Sequence, residues 1–350
     1  MKWFKAGEGG TKVEGLGFYE KDHVLRRLML DLPAPIPSDV EKLTWNTAGV
    51  QLRFRGTFSE IQIRVGLKFP PVFTHMATTG ESGFDMYLKT EGDADPVYCS
   101  TAYIPDKTAM GYGATMWSGK KITAEVTLNS PLYNGVESFE IGFDDGAEIL
   151  PPVPHKNGRV LVYGGSIDQG CAAARPGMAY SNILSRWMDS EFINLGFSGA
   201  GRAEDEVALA LREIPGVTLF IINTAGNCFS RSHLAERFPS FISLIRERYP
   251  ETPMLIYSLP RWACDRFGYD PEISNEGKAE ELEKLFSELA SHDGHVYFMR
   301  SEGGGAPFDG HPMRFEHTAD GYHPNDLGFA FIARELYFKL KEIKQLEGLR

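Results

Sequence analysis

Cysteine is scarce: four residues in a chain of 350, none of them in a C-x-x-C pair. That count argues against a disulfide framework or a cysteine-bound zinc knot. Cys99, Cys171, Cys228 and Cys264 are widely spaced and read as free thiols, which fits a cytoplasmic protein. Positive charge is also in deficit, with 36 Lys and Arg against 47 Asp and Glu and a formal net charge of −11. Such a balance repels polyanions, so neither nucleic acid nor a membrane surface is expected as a partner. No apolar run approaches the ~18 residues of a membrane span. The opening MKWFKAGEGG has no apolar core of a secretory signal. What is present, 42% hydrophobic and 24% charged residues, describes a globular chain with a substantial core and room for two domains.

Two hydrophobic periods divide the chain. Up to about residue 150 the period is two. Ile61, Ile63, Val65 and Leu67 alternate with polar neighbours, as do Ile122, Ala124, Val126 and Leu128. Half-buried strands separated by Gly, Pro and Asp turns predict an all-β sandwich or jelly roll over residues 1–153, with no helix interrupting it. The Pro-rich joint LPPVPHKNGR follows. From Val160 the pattern becomes short apolar runs (VLVYGG, FINLGF, TLFIINTAG, PMLIYSLP, HVYFMR) alternating with amphipathic helices. This predicts a three-layer α/β domain with a parallel sheet over residues 154–350, closed by a helix from about Asp326 to Leu346.

The ends of the strands carry the chemistry. VLVYGGSIDQG delivers Ser166 through two glycines at the carboxyl edge of the first strand, where open α/β sheets bind ligands. NLGFSGAGR places Gly199 after the second strand, and NTAGNC places Asn227 after the third. HTADGYHPND sets Asp320 three residues before His323, just ahead of the last helix. A serine needs a neighbouring base to act as a nucleophile, and neutral histidine suits that task. The histidine in turn needs a carboxylate to fix its tautomer. A tetrahedral oxyanion needs preorganised donors, which the Ser166 and Gly199 N–H groups and the Asn227 amide can supply. Taken alone, GGSIDQG is also an ordinary strand-to-helix turn with a serine cap; convergence of four loops on one sheet edge favours acyl transfer.

This arrangement resembles the SGNH (GDSL-like) hydrolases, whose four blocks carry Ser, Gly, Asn and a D-x-x-H pair in this chain order. The resemblance covers residues 156–350 and implies a flavodoxin-like parallel sheet. It also implies Ser166 as nucleophile, Asp320 and His323 as its partners, Ser166, Gly199 and Asn227 as the oxyanion hole, and no cofactor or metal. Gly165 departs from the Asp of G-D-S, and Cys228 from the Asp often found after the third-block Asn. GFDMY (residues 83–87) resembles the G-x-D-L-Y signature of a β-rich domain preceding some of these hydrolases. It marks Asp85 and Tyr87 either as contacts to the alcohol part of a substrate or as members of their own hairpin.

The loop PRWACDRFGYDPEISNEG carries Trp262, Phe267 and Tyr269 beside Arg261 and Arg266. Such rings suit stacking on sugar faces; equally they can seal a domain interface. With no long apolar lid in the chain, the expected activity is removal of small acyl groups, acetyl above all, from a carbohydrate or glycoside. Trp262 and Tyr269 join Asp85 and Tyr87 as expected substrate contacts. A longer-chain lipase or thioesterase and an inactive carbohydrate-binding protein are the rival readings. Asp309, His311, His317, Asp320 and His323 lie close enough in sequence for a metal site to be weighed, but no H-x-x-x-H helix presents them. A homo-oligomer is compatible with the composition, which does not fix the oligomeric state.

Overall fold

The protein is described from a computed structural model, which describes residues 1–258, 263–268, 270–301 and 315–343. Its first half is antiparallel. Strands β1 (Lys2–Lys5), β2 (Lys12–Glu14), β3 (Gln51–Leu67), β4 (Asp85–Lys89), β5 (Val97–Thr101), β6 (Gly111–Asn129), β7 (Val136–Phe143) and β8 (Glu148–Leu150) form one continuous sheet. Its order is β1-β7-β3-β6-β4-β5, with β2 and β8 also pairing to β3. The β-rich first half expected from the sequence is built from one continuous sheet bent over one core. Phe143 lies opposite Ile61 in register. Ile61 is seven residues from Phe54, a span of roughly 23 Å along an extended strand. Yet the Phe54 and Phe143 rings are 5.2 Å apart.

The bend comes from bulges. The β3–β6 register shifts between Phe58 and Glu60 and again between Ile61 and Gln62. Across this break the buried positions change parity, from Leu52, Phe54 and Phe58 to Ile61, Ile63, Val65 and Leu67. Between Phe58 and Gln62 the partner β6 carries three more residues than β3, an odd offset that turns β3 over so that both halves face the same interior. Three short helices, α1 (Tyr19–Asp22), α2 (Ser38–Leu43) and α3 (Thr78–Glu81), do interrupt this half. Their few apolar positions give no periodic signal in the sequence.

The second half has five parallel strands, β9 (Arg159–Gly164), β10 (Glu191–Gly196), β11 (Val217–Ile222), β12 (Met254–Ser258) and β13 (Val296–Arg300), in the order β10-β9-β11-β12-β13. This is the flavodoxin-like 2-1-3-4-5 order, whose direction of winding reverses between β9 and β11. Helices α4 (Ser166–Gln169), α5 (Tyr180–Met188), α6 (Asp205–Leu211), α7 (Arg231–Arg246), α8 (Asn275–Ala290) and α9 (Asp326–Glu342) connect and cover the strands. Alternate strand residues enter opposite layers. Leu161, Tyr163, Phe220, Ile222 and Ile256 meet α6, α7 and α8. Val160, Val162, Leu219, Ile221 and Leu255 meet α5 and α9. Among the described residues no helix is long and apolar enough to cross a membrane.

The two halves share these cores. Leu28 and Val40 complete one layer, and Ala48, Met76, Leu132 and Tyr133 the other. The joint is clamped as well: His155 pairs through Nδ1 with Asp189 at 3.0 Å and through Nε2 with Glu14 at 3.1 Å. Burial works against both partners of the second pair. The hydrogen bonds and charges of His155 and Arg53 nevertheless hold the Glu14 carboxyl far below its ordinary range.

Candidate active site

The strand-reversal point between β9 and β11 is where the four sequence blocks meet. Gly165 follows β9 and caps the single turn of α4, at whose first position Ser166 stands. A Cβ on Gly165 would displace the Asn227 side chain, so the glycine leaves room for that amide beside the Ser166 turn. Gly199 adopts φ +67, a conformation that carries the chain round the rim of the cleft and that L side chains rarely adopt.

Ser166 Oγ lies 3.0 Å from His323 Nε2. His323 Nδ1 lies 2.7 Å from Asp320 Oδ2. The other Asp320 oxygen accepts the N–H groups of Tyr322 at 3.0 Å and His323 at 2.8 Å. Partial burial would raise the Asp320 carboxyl. These hydrogen bonds outweigh burial and hold it below its ordinary value. Asp320 therefore stays ionised at neutral pH and accepts the Nδ1 hydrogen, an arrangement that turns Nε2 toward the serine hydroxyl as its acceptor.

Ser166, Gly199, Asn227 and His323 line one cleft of about 370 Å³, with Phe73, His75, Ile167, Cys171 and Tyr322 among the other walls. The first-turn position of Ser166 leaves its N–H without an intrahelical acceptor. Asn227 reaches the same cleft, but its amide donates to the carbonyls of Phe197, at 3.3 Å, and Ala200. It thus ties the third loop to the one carrying Gly199. Lys278, from α8, holds the third loop from below, donating to the Gly226 carbonyl at 3.0 Å and the Cys228 carbonyl at 3.1 Å.

Where the sequence departs from G-D-S, Asp168 supplies the support. Its carboxylate accepts Gly165 N–H at 2.8 Å, Tyr180 OH at 2.6 Å and Asn223 Nδ2 at 3.1 Å. Full burial pushes this carboxyl up to about 6 despite those donors. An acidic residue three positions after Gly165, placed to accept its N–H, is the sequence signal that identifies it.

Other supports come from the first half and carry no such signal. Gln169 donates to Asn46 Oδ1 and the Leu132 carbonyl, each at 3.0 Å, and accepts Ser198 N–H at 3.0 Å. Tyr133 OH donates to the Ser166 carbonyl at 3.2 Å. Arg27 is fully buried, and that burial lowers its pKa to about 9. It donates to the carbonyls of Asn194 at 3.2 Å, Gly196 at 2.6 Å and Leu43 at 2.6 Å. Its guanidinium carbon sits 4.7 Å from the centre of the Phe197 ring. It therefore covers unpaired carbonyls on the outer edge of β10, where the Gly199 loop begins.

The structure does not bring Asp85 and Tyr87 to the cleft. Both are buried, Asp85 at 0% exposure. Asp85 accepts Asn129 Nδ2 at 2.8 Å, Arg175 Nη1 at 2.7 Å and Gly177 N–H at 2.8 Å. Arg175 also donates to Tyr87 OH at 2.7 Å. The expected substrate contact is thus replaced by a latch between the GFDMY strand and the loop that follows α4. The physical reason is saturation: the groups meant for a substrate already face Arg175 and Gly177. Trp262 and Tyr269, with Asp309 and His311, lie outside the described residues. Among the described residues no cluster of three or more His, Cys, Asp or Glu side chains is placed to hold a metal.

Residues 157–341 match the GDSL-like Lipase/Acylhydrolase family, and residues 1–149 match the GxDLY family, described as the N-terminus of SGNH-hydrolase-type esterases. A GDSL-like lipase structure from Bacteroides ovatus is 26% identical, with 98% of this chain and 97% of that one covered at a TM-score of 0.88. The salicylyl-acyltransferase SsfX3 of a tetracycline biosynthetic pathway is 16% identical, over 100% and 99% of the two chains, at 0.71. A family two carbohydrate esterase from Clostridium thermocellum, in complex with cellohexaose, is 16% identical over 85% and 93%, at 0.58. The last two likenesses are of fold alone. No curated protein matches the sequence. With more than half of its length matched, the chain belongs to the GDSL-like lipase/acylhydrolase family and is a carboxylic ester hydrolase.

Proposed function

We propose that the protein is a serine esterase that removes small acyl groups, acetyl in particular, from a carbohydrate or glycoside. The observation that carries this reading is the unbroken hydrogen-bonded chain from Ser166 Oγ through His323 to Asp320. Ser166 attacks the ester carbonyl while His323 Nε2 takes its proton. Asp320 holds the imidazole by Nδ1 and stabilises the imidazolium. The oxyanion is received by the N–H groups of Ser166 and Gly199 and by the Asn227 amide. On collapse, His323 returns the proton to the leaving alcohol. Water then enters by the same base and releases the carboxylic acid and free Ser166.

The small cleft, walled by Phe73 and Ile167, favours a short acyl group. The fold likeness to a cellohexaose-bound carbohydrate esterase favours a sugar alcohol. A serine-reactive phosphonate is expected to label Ser166, identified by mass spectrometry of the peptide. In a series of p-nitrophenyl esters, two-carbon acyl groups should be cleaved faster than those of eight carbons or more. Faster cleavage of the long chains would assign a lipase or thioesterase. Absence of labelling and turnover would leave an inactive carbohydrate binder.

Asn227→Ala is expected to lower kcat by about 10²–10³ with little change in KM, because its donor serves a charge that develops only in the transition state. To serve it, Asn227 exchanges a loop carbonyl for the oxyanion. A lowered melting temperature with unchanged kcat would restrict the side chain to joining the two loops.

A further inference from the structure

We propose that His75 of the β half is a substrate-binding residue that donates a hydrogen bond to a hydroxyl beside the scissile ester, selecting esters of polyhydroxylated alcohols. The proposal rests on the reading of Ser166 and His323 as nucleophile and base. His75 stands on the segment between β3 and α3, which is pinned at several points. Asn134 donates to the Phe69 carbonyl at 2.7 Å and accepts Phe69 N–H at 3.1 Å. The buried Glu81 carboxylate accepts the N–H groups of Val72 at 2.7 Å and Phe73 at 3.3 Å. Phe73 packs edge-on against Tyr133 at 5.0 Å, and His75 edge-on against Phe73 at 5.4 Å. An exposed imidazole is thereby carried into the cleft that holds Ser166.

Its chemistry is set by Cys171, whose sulfur lies 3.5 Å from His75 Nε2. Burial pushes that thiol up to about 11, so at neutral pH it is protonated and donates to Nε2. With Nε2 accepting from the thiol, His75 carries its own hydrogen on Nδ1. Nδ1 makes no hydrogen bond within the described residues and is an available donor. The His75 ring centre is 6.0 Å from that of His323. The leaving oxygen must come within hydrogen-bond reach of His323 Nε2 to receive its proton. A group one ring away therefore meets the alcohol part of the ester, not the acyl chain. A sugar presents a neighbouring hydroxyl there; a simple aryl ester presents none.

The test compares a monoacetylated methyl glucoside with free hydroxyls against 4-nitrophenyl acetate. In His75→Phe, which keeps a ring against Phe73 but removes both nitrogens, the ratio of the two kcat/KM values should fall about tenfold. His75→Asn, which restores a donor near the Nδ1 position, should recover most of that ratio. Equal changes on both substrates, or no recovery with Asn, would overturn the proposal, as would a wild type that cleaves no acetylated sugar. Ser166→Ala serves as the control. If it abolishes both activities while the His75→Phe ratio is unchanged, His75 fails alone. If it retains both activities, the underlying reading fails and the His75 proposal with it.

Discussion

Ser166→Ala is expected to lower ester hydrolysis on the order of 10⁴–10⁶-fold, and His323→Ala by a similar factor, because either change removes the same proton-transfer unit. The losses should not add in the double variant. Steady-state kinetics on one short-chain ester, with melting temperature recorded in parallel, measures both effects. Ser166→Ala removes one hydroxyl from a half-exposed turn, so the melting temperature should stay near that of the wild type. A wild-type rate in Ser166→Ala would remove this serine from the chemistry.

Asp320 tests the geometry more sharply. In Asp320→Ala the imidazole loses its 2.7 Å partner but not its neighbour Ser166, so the loss should be smaller than that of His323→Ala. In Asp320→Asn the side-chain oxygen still accepts the N–H groups of Tyr322 and His323, preserving the turn. The amide, however, presents a donor to Nδ1. The ring must then carry its hydrogen on Nε2, toward Ser166, which disables the base at a cost on the order of 10⁴-fold.

The second large effect is on stability. Asp85→Ala is expected to destabilise the fold by about 3–5 kcal/mol, read as a shift of the denaturation midpoint, because it strands partners that were satisfied inside the protein. Arg175 is 19% exposed in its side chain, and Gly177 N–H loses its acceptor in a buried loop. The guanidinium of Arg175 also covers Tyr98, 4.0 Å from its ring centre, so a displaced Arg175 loosens a third contact. Tyr87→Phe removes one acceptor and should cost about 1 kcal/mol. Well below the transition, turnover of a small aryl acetate should survive both changes. Wild-type stability together with weakened hydrolysis of an acetylated sugar would return the pair to substrate binding.

The contrast between Ser166 and Asp85 shows what kind of information each level holds. The parallel sheet and its catalytic edge are legible in the sequence because both are local. A doubly buried strand must be a run of apolar residues, and the residue that leaves its carboxyl end is set by chain order. Val160 to Gly165 thus place Ser166 at the sheet edge before any contact is known. The D-x-x-H spacing is equally local, since a three-residue turn lets Asp320 reach both the ring and the backbone of His323.

What covers a strand is not local. Alternation around Asp85 indicates a β-strand, but the groups that saturate its carboxylate are 44, 90 and 92 residues away in sequence. The same holds for Arg27, whose carbonyl acceptors lie 167 and 169 residues further on. A buried arginine with no carboxylate partner among these contacts looks, in sequence, like any surface arginine. The folding back of β3 was likewise decided by bulges, because an odd register offset reverses the buried parity without changing the kind of residue in the pattern. His75 lies in a Pro-containing segment with no periodicity. It reached Ser166 because Tyr133 and Asn134 of the β6–β7 loop and Glu81 of α3 hold that segment. Sequence by itself determined the strands, their order of chemistry and the nucleophile's turn. Only packing between the two halves decided which of their polar groups were spent on each other and which were left facing the cleft, because a polar group's role depends on whether another chain segment satisfies it first.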